Sequence, residues 1–166
     1  VSHDALGARG RRAAPAGWKQ RLPEGIARFG AALKILILVD GDRFEASNLT
    51  RQACTARDLG TNKAEALARV AGAVGLGVQV VPSHVTPDNV GHLVREGDIV
   101  LLAVDNHRAR ALVDRHLRSL DDATLISGGN DETDGNVQLV RRRDGYSVDG
   151  HLVEIHPEIG QAASSE

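Results

Sequence analysis

The sequence predicts an α/β fold: a doubly wound, mostly parallel sheet between two helix layers, with no regular first strand ahead of residue 31. Two observations predict it. Aliphatic runs and helical patterns alternate as strand, helix, strand, helix, strand, the order that parallel strands with right-handed crossovers produce. Apolar residues make up 42% of the 166 residues but aromatics only 2%. Such an aliphatic core suits a sheet covered by helices better than an aromatic-anchored β-sandwich. The length suits one domain of three layers.

Residues 1–30 are rich in Arg, Gly, Ala and Pro, hold the only tryptophan, Trp18, and show no sustained period. They are expected to be an irregular or remodelled segment, and residues 31–166 the folded domain. Leu33 to Val39 is a continuous aliphatic run closed by Asp40 and Gly41, which predicts a strand buried on both faces. A polar segment runs to Gly60. Asn62, with Glu65 three residues later, predicts a helix N-cap and its reciprocal partner. Ala64, Leu67, Ala68, Ala71 and Val74 recur behind it at helical spacing until Gly75 and Gly77.

Val78 to Val81 reads as the next strand, ended by Pro82, and Pro87 to Arg95 as a short helix with proline in its first turn. Ile99 to Val104 is a second aliphatic strand. His107 to Leu120 forms an amphipathic helix, its stripe made of Ala109, Leu112, Val113, His116, Leu117 and Leu120. Thr124 to Ile126 is a strand leading into Ser127, Gly128 and Gly129. Val137 to Val140 and Leu152 to Ile155 read as late strands, with a hairpin turn at Asp144 and Gly145.

Several functional classes fall away. A formal net charge of −2 argues against nucleic acid, which calls for a basic surplus; Arg141, Arg142 and Arg143 read as a solvated strand end. The single cysteine, Cys54, leaves no intramolecular disulfide or cysteine-paired zinc site and reads as an inert thiol, buried or half-buried. No apolar run approaches the ~20 residues of a membrane span, and the start lacks the apolar stretch of a signal peptide. The expected setting is soluble and cytoplasmic. His151 and His156 would fall on opposite faces of a strand, so a shared metal is not expected.

In parallel sheets ligands bind beyond the carboxyl ends of the strands, and Asp40 and Asp105 each follow such an end. An acid there can accept hydrogen bonds from a ribose. Ser47, Asn48 and Arg51 add a hydroxyl, an amide and a guanidinium suited to phosphate. Lys63 opens the next helix, whose dipole also favours an anion. A carboxylate such as Asp105 can serve Mg²⁺, which commonly takes one or two protein carboxylates beside phosphate oxygens. Each residue has a structural explanation as well: Asp40 as a turn former, Asp105 as a helix cap, Arg51 and Lys63 as solvated charges.

The stretch LVDGDRFEASNLTRQ, from Leu38 to Gln52, resembles the D-x-D-x-x-x-x-S-N-L-x-R-Q motif of the adenylyltransferase family that includes ThiF, MoeB and the ubiquitin-activating enzymes. Gly60, Asn62, Lys63 and Ala64 resemble that family's G-x-x-K-A helix start, and Asp105, Asn106 and Arg110 its D-N-x-x-x-R segment. The resemblance covers residues 33 to about 140. It implies a Rossmann-like fold and ATP-dependent adenylylation of a C-terminal carboxylate, usually the Gly-Gly end of a ubiquitin-like or sulfur-carrier protein, often in a homodimer or pseudo-homodimer. By position it implies that Asp40 holds the ribose and that Ser47, Asn48, Arg51 and Lys63 hold the phosphates. Asp105 would bind Mg²⁺, and Asp42, Gln52 and Asn106 complete the ATP contacts. Arg51, Lys63 and Asp105 are then the catalytic residues.

The family's G-x-G-x-x-G loop should precede Asp40 by one strand–helix unit, where this chain has Ala16, Gly17, Trp18, Lys19, Gln20 and Arg21. Loss of the loop in a non-catalytic relative, a fragment, and a reading frame shifted upstream of about Ile26 each explain this. The alternative function is an inactive scaffold that binds a partner protein. A nicotinamide-dependent oxidoreductase ranks lower, having no use for the S-N-L-x-R-Q cluster.

Overall fold

The computed structural model describes residues 35–73, 77–130 and 135–164. The segment 1–30, Leu33, Val74 and Gly75 lie outside the described residues. The chain divides between His84 and Val85 into two compact units.

In the first unit, strand β1 (Leu36–Val39) pairs in parallel with β2 (Val78–Val81), Val39 standing opposite Val81. Helix α1 (Lys63–Gly72) makes the crossover. Its start is the expected one: Asn62 is the N-cap, its side-chain oxygen accepting from the Glu65 N–H at 3.2 Å. Helix α1 buries Ala64, Ala66 and Ala71. Alanines let a helix approach a sheet closely but remove little apolar area from water. Two 3₁₀ turns, Ala46–Asn48 and Ala56–Asp58, shape the polar segment between β1 and α1.

The second unit holds helix α2 (Val90–Leu93), strand β3 (Ile99–Leu102), helix α3 (His107–Leu117), strands β4 (Ala123–Asn130), β5 (Gly135–Arg143) and β6 (Tyr146–Ser147), and helices α4 (Leu152–Ile155) and α5 (Pro157–Ser164). The sheet order is β3-β4-β5-β6, with β3 and β4 parallel and the later pairs antiparallel. The α/β class is as the sequence predicts. Leu102, Val113, Leu117, Leu125, Val140 and Leu152 share one core, and each fully buried aliphatic side chain there contributes about 1.5–3 kcal/mol.

The first strand differs from expectation on one point: it was to be buried on both faces, yet Ile37 in β1 is exposed, as are Ile99 and Leu101 in the aliphatic β3. Val137 and Leu139 of β5 are exposed on the same sheet face as Leu101, because Ile126 pairs with both Leu101 and Leu139. Helices α3, α4 and α5 bring their buried residues to the opposite face, which holds Leu102, Leu125 and Val140.

Leu152–Ile155 is a helix, not the expected late strand. Its first N–H, from Leu152, donates to Asp114 Oδ1 at 2.9 Å, and Glu154 accepts from the His151 N–H at 3.0 Å. A buried acid on α3 thus joins a local capping bond from Glu154 in satisfying the first turn of the helix. The hairpin turn is where expected, with Asp144 at φ 52° and Gly145 at φ 79°, but it leads into β6 instead. Two successive positive φ values match the twist of a two-residue hairpin. His151 and His156 therefore flank a helix rather than alternating along a strand. Among the described residues no helix is long and apolar enough to cross a membrane.

Candidate nucleotide-binding site

Asp40 continues the parallel ladder past the end of β1, its N–H donating to Val81 O at 3.2 Å. Its Oδ1 accepts from the Asp42 N–H at 2.8 Å, an Asx turn that bends the chain away from the sheet. The other oxygen, Oδ2, is buried with no hydrogen-bond partner among the described residues. A buried acceptor left unpaired is uncommon and costly. Burial raises the Asp40 carboxyl above the ordinary carboxylate value, while the Asp42 N–H and the Lys63 charge pull it back.

Asn62 ties this turn to helix α1. Its amide nitrogen donates to the carbonyls of Asp40 at 2.8 Å and Asp42 at 3.0 Å, while its oxygen caps the helix. Lys63 follows, 6% exposed; its backbone N–H donates to Asp42 O at 2.9 Å and its Nζ lies 3.1 Å from Asp42 Oδ2. An ammonium so nearly buried needs a paired anion, and Asp42 is one. Asp40, Asp42 and Lys63, expected from the sequence as nucleotide contacts, thus form one connected cluster. Asn62, expected only as a cap, holds it together.

Ser47, Asn48, Arg51 and Gln52 surround the first 3₁₀ turn. Asn48 is 1% exposed, and its Oδ1 accepts from the Glu45 N–H at 2.8 Å. Its carbonyl receives the N–H groups of Arg51 and Gln52. Asn48 therefore organises the turn, although its Nδ2 is a second buried polar atom without a partner. Ser47 is exposed, Gln52 is buried, and Arg51 is half-buried with Nε 3.4 Å from Ser47 O.

In the second unit, Asp105 and Asn106 lie between β3 and α3, and both are exposed. Asn106 is the cap of α3, accepting from the N–H groups of Arg108 at 2.9 Å and Ala109 at 3.4 Å. The capping role that offered a structural explanation for Asp105 thus belongs to its neighbour. One exposed carboxylate fits an ion that takes most of its ligands from phosphate and water. Among the described residues no group of three or more His, Cys, Asp or Glu could hold a metal by itself.

Arg110 is buried, with Nη1 2.6 Å from Ser127 Oγ and Nη2 2.6 Å from Gly128 O. Burial lowers its affinity for the proton, and the Asp105 charge works against that effect. A Cβ on Gly129 would sit 3.0 Å from Asn136 Oδ1 and 3.4 Å from Arg110 Nη2, so glycine there leaves room for the guanidinium. The stripe expected on α3 omits both Arg110 and Asp114, which are buried beside Val113 and Leu117. Apolar periodicity has no signal for a charge whose partners lie on β4 or α4. The motif D-N-x-x-x-R does mark Arg110.

The family model of the ThiF family matches residues 24–158. Among solved structures, the selenomethionine form of PaaA superposes with a TM-score of 0.57 at 21% identity, over 79% of this chain and 41% of its own. MccB from E. coli gives 0.56 at 20% identity, over 82% of this chain and 38% of its own. MccB crystallised with AMPCPP and MccA gives 0.52 at 19% identity, over 71% and 45%. The chain thus spans about two-fifths of the length of these structures. No curated protein matches it by sequence. A family match over most of the chain, with the same fold in those structures, identifies this protein as a member of the ThiF family.

Proposed function

We propose that this chain is the nucleotide-binding part of an ATP-dependent adenylyltransferase acting on the C-terminal carboxylate of a protein or peptide. The observation that carries the proposal is the end of β1: a buried, unpartnered Asp40 oxygen beside the Asp42–Lys63 pair. A ribose hydroxyl is the donor that oxygen lacks, and Lys63 supplies positive charge for phosphate. MccB, a protein of the same fold, was crystallised with AMPCPP and MccA, which supports a nucleotide and a second molecule as the ligands of such a fold.

Adenylylation forms a bond between a carboxylate oxygen and the α-phosphorus and breaks the bond to the leaving pyrophosphate. The attacking carboxylate is already ionised at neutral pH, so no general base is needed. The protein's task is to position the reactants and to offset charge on the phosphates. In this scheme Asp40 orients the ribose, and Lys63, Ser47 and Arg51 contact the phosphates. Asn48 and Gln52 hold the turn that carries Ser47 and Arg51. Asp105, next to the cap Asn106, would hold Mg²⁺, which when bound neutralises phosphate charge. A Gly-Gly terminus of a ubiquitin-like or sulfur-carrier protein is the proposed acceptor, and a dimer the proposed assembly.

ATP–pyrophosphate exchange with a Gly-Gly-ended peptide tests the proposal. Exchange is expected with the wild type and a loss of about 100-fold or more in Asp105→Ala, with the melting temperature of the variant measured alongside to separate loss of chemistry from loss of fold. Absence of ATP binding by the intact protein in calorimetry sinks the proposal. It would favour an inactive scaffold, the reading that the missing G-x-G-x-x-G motif supports.

A further inference from the structure

The parallel register sets Val39 beside Val81, so the residues that leave β2 pass over those that leave β1. His84 arrives there on Gly41. A Cβ on Gly41 would lie 2.5 Å from both Cδ2 and Nε2 of the His84 ring, so the imidazole packs on bare backbone between the two acids. Its Nε2 is 3.8 Å from Asp42 Oδ1, while the other Asp42 oxygen faces Lys63 Nζ at 3.1 Å. Asp42 thus stands between two bases, one nearly buried and one 68% exposed.

We propose that His84 is a positioning residue of the nucleotide site, taking over Asp42 as a protonated counter-ion when Lys63 turns to phosphate. This rests on the adenylylation proposal above. Lys63 cannot neutralise a phosphate and Asp42 fully at once, and an unpaired carboxylate beside ATP would repel it. Among the described residues, the charged groups near the imidazole include Asp42 and Asp40, from the end of β1, with Lys63, from α1, on the other oxygen of Asp42. Nucleotide binding therefore draws a proton from the buffer onto His84. A bound state that favours the charged imidazole is strengthened as pH falls through the histidine range and weakened as pH rises through it. Asp40 gains from the same charge, since His84 is among the groups that favour its ionised form.

Two measurements on the full chain decide the matter. The first needs no nucleotide: imidazole NMR at pH 7 of wild type, Lys63→Met, and Lys63→Met combined with Asp42→Asn. Removing Lys63 should raise the protonated fraction of His84, and removing Asp42 as well should cancel the rise. A His84 signal indifferent to Lys63 overturns the proposal. The second is calorimetry of MgATP binding in buffers of different ionisation heat. Wild type should take up a fraction of a proton per nucleotide, and His84→Gln should not. Between pH 8 and pH 6 the wild type should gain about three- to tenfold in affinity relative to His84→Gln, a factor of ten being one pKa unit. Comparison at equal pH cancels titration of the nucleotide itself. Equal proton uptake by the two proteins overturns the proposal, whereas no binding by either overturns the adenylylation proposal and leaves the NMR result to judge the coupling.

Discussion

The two units are stabilised by different means. Among the described residues of 35–84, the buried apolar side chains are Cys54, Ala64, Ala66 and Ala71, and Asn48, Gln52, Asn62 and Lys63 are buried with them. In 85–164 the buried side chains are mainly larger aliphatics, including Leu102, Leu117, Leu125, Val140 and Leu152. Small side chains remove little area from water, so the first unit depends on side-chain to backbone hydrogen bonds, with Asn62 holding two carbonyls and capping a helix at once. A site that must present acids and a lysine to a ligand cannot also bury a large apolar core at the same strand ends. On the adenylylation proposal the ribose and phosphate contacts fall in the first unit and Asp105 in the second, which also holds most of the aliphatic core.

The largest stability loss is expected in the aliphatic unit. Leu117→Ala, at a side chain with no exposed surface, should cost about 2–5 kcal/mol by the cavity it leaves. The half-buried Leu38 of β1 should cost less on the same substitution; chemical denaturation of both variants makes the comparison, and equal losses would abolish the contrast. Next comes Asn62→Ala, which removes a cap and takes the Asn62 donor from the Asp40 and Asp42 carbonyls, the latter keeping the Lys63 N–H, at about 1–3 kcal/mol. It should also weaken ATP binding, because Asn62 fixes the turn bearing Asp42 and Lys63; a loss of stability with unchanged nucleotide affinity would mean the cluster holds itself.

The smallest effect has the opposite sign. Burial raises the folded Asp40 carboxyl above its unfolded value. Its ionised form therefore opposes folding, and the penalty appears as pH rises through the window above the ordinary aspartate value of 3.8. Asp40→Asn keeps an oxygen for the Asp42 N–H and should stabilise the protein at pH 7, by less than about 1 kcal/mol after allowance for solvent screening. Thermal melts from pH 7 to pH 4 should show the gain shrinking as the wild-type acid is protonated. ATP binding should fall in the same variant. A variant that is both less stable and still binds ATP would remove Asp40 from the site.

Much of the candidate site's local structure was legible because its signals are local. Asp40 and Asp42 follow an aliphatic run, and Asn62 shows the spacing of a cap to Glu65; both are where the sequence puts them. Asn106 was expected as a ligand contact and is also the cap, the role that stood as the structural alternative for Asp105. His84 carried no signal: a lone histidine two residues after Pro82 belongs to no motif, and only the pairing of β1 with β2 sets it on Gly41.

By itself, then, the sequence determined the α/β class, the order of most elements, the Asn62 cap, the Asp144–Gly145 turn and the family. Those depend on periodicity, capping and turn chemistry, which act over a few residues, and on ordered motifs. Tertiary structure decided that Leu152–Ile155 is a helix, where Asp114 on α3 takes the Leu152 N–H beside the local bond from the His151 N–H to Glu154. It also decided that Arg110 and Asp114 are buried, since Ser127, Gly128 and Leu152 receive them. A buried charge is settled by partners distant along the chain, and hydrophobic periodicity has no term for them.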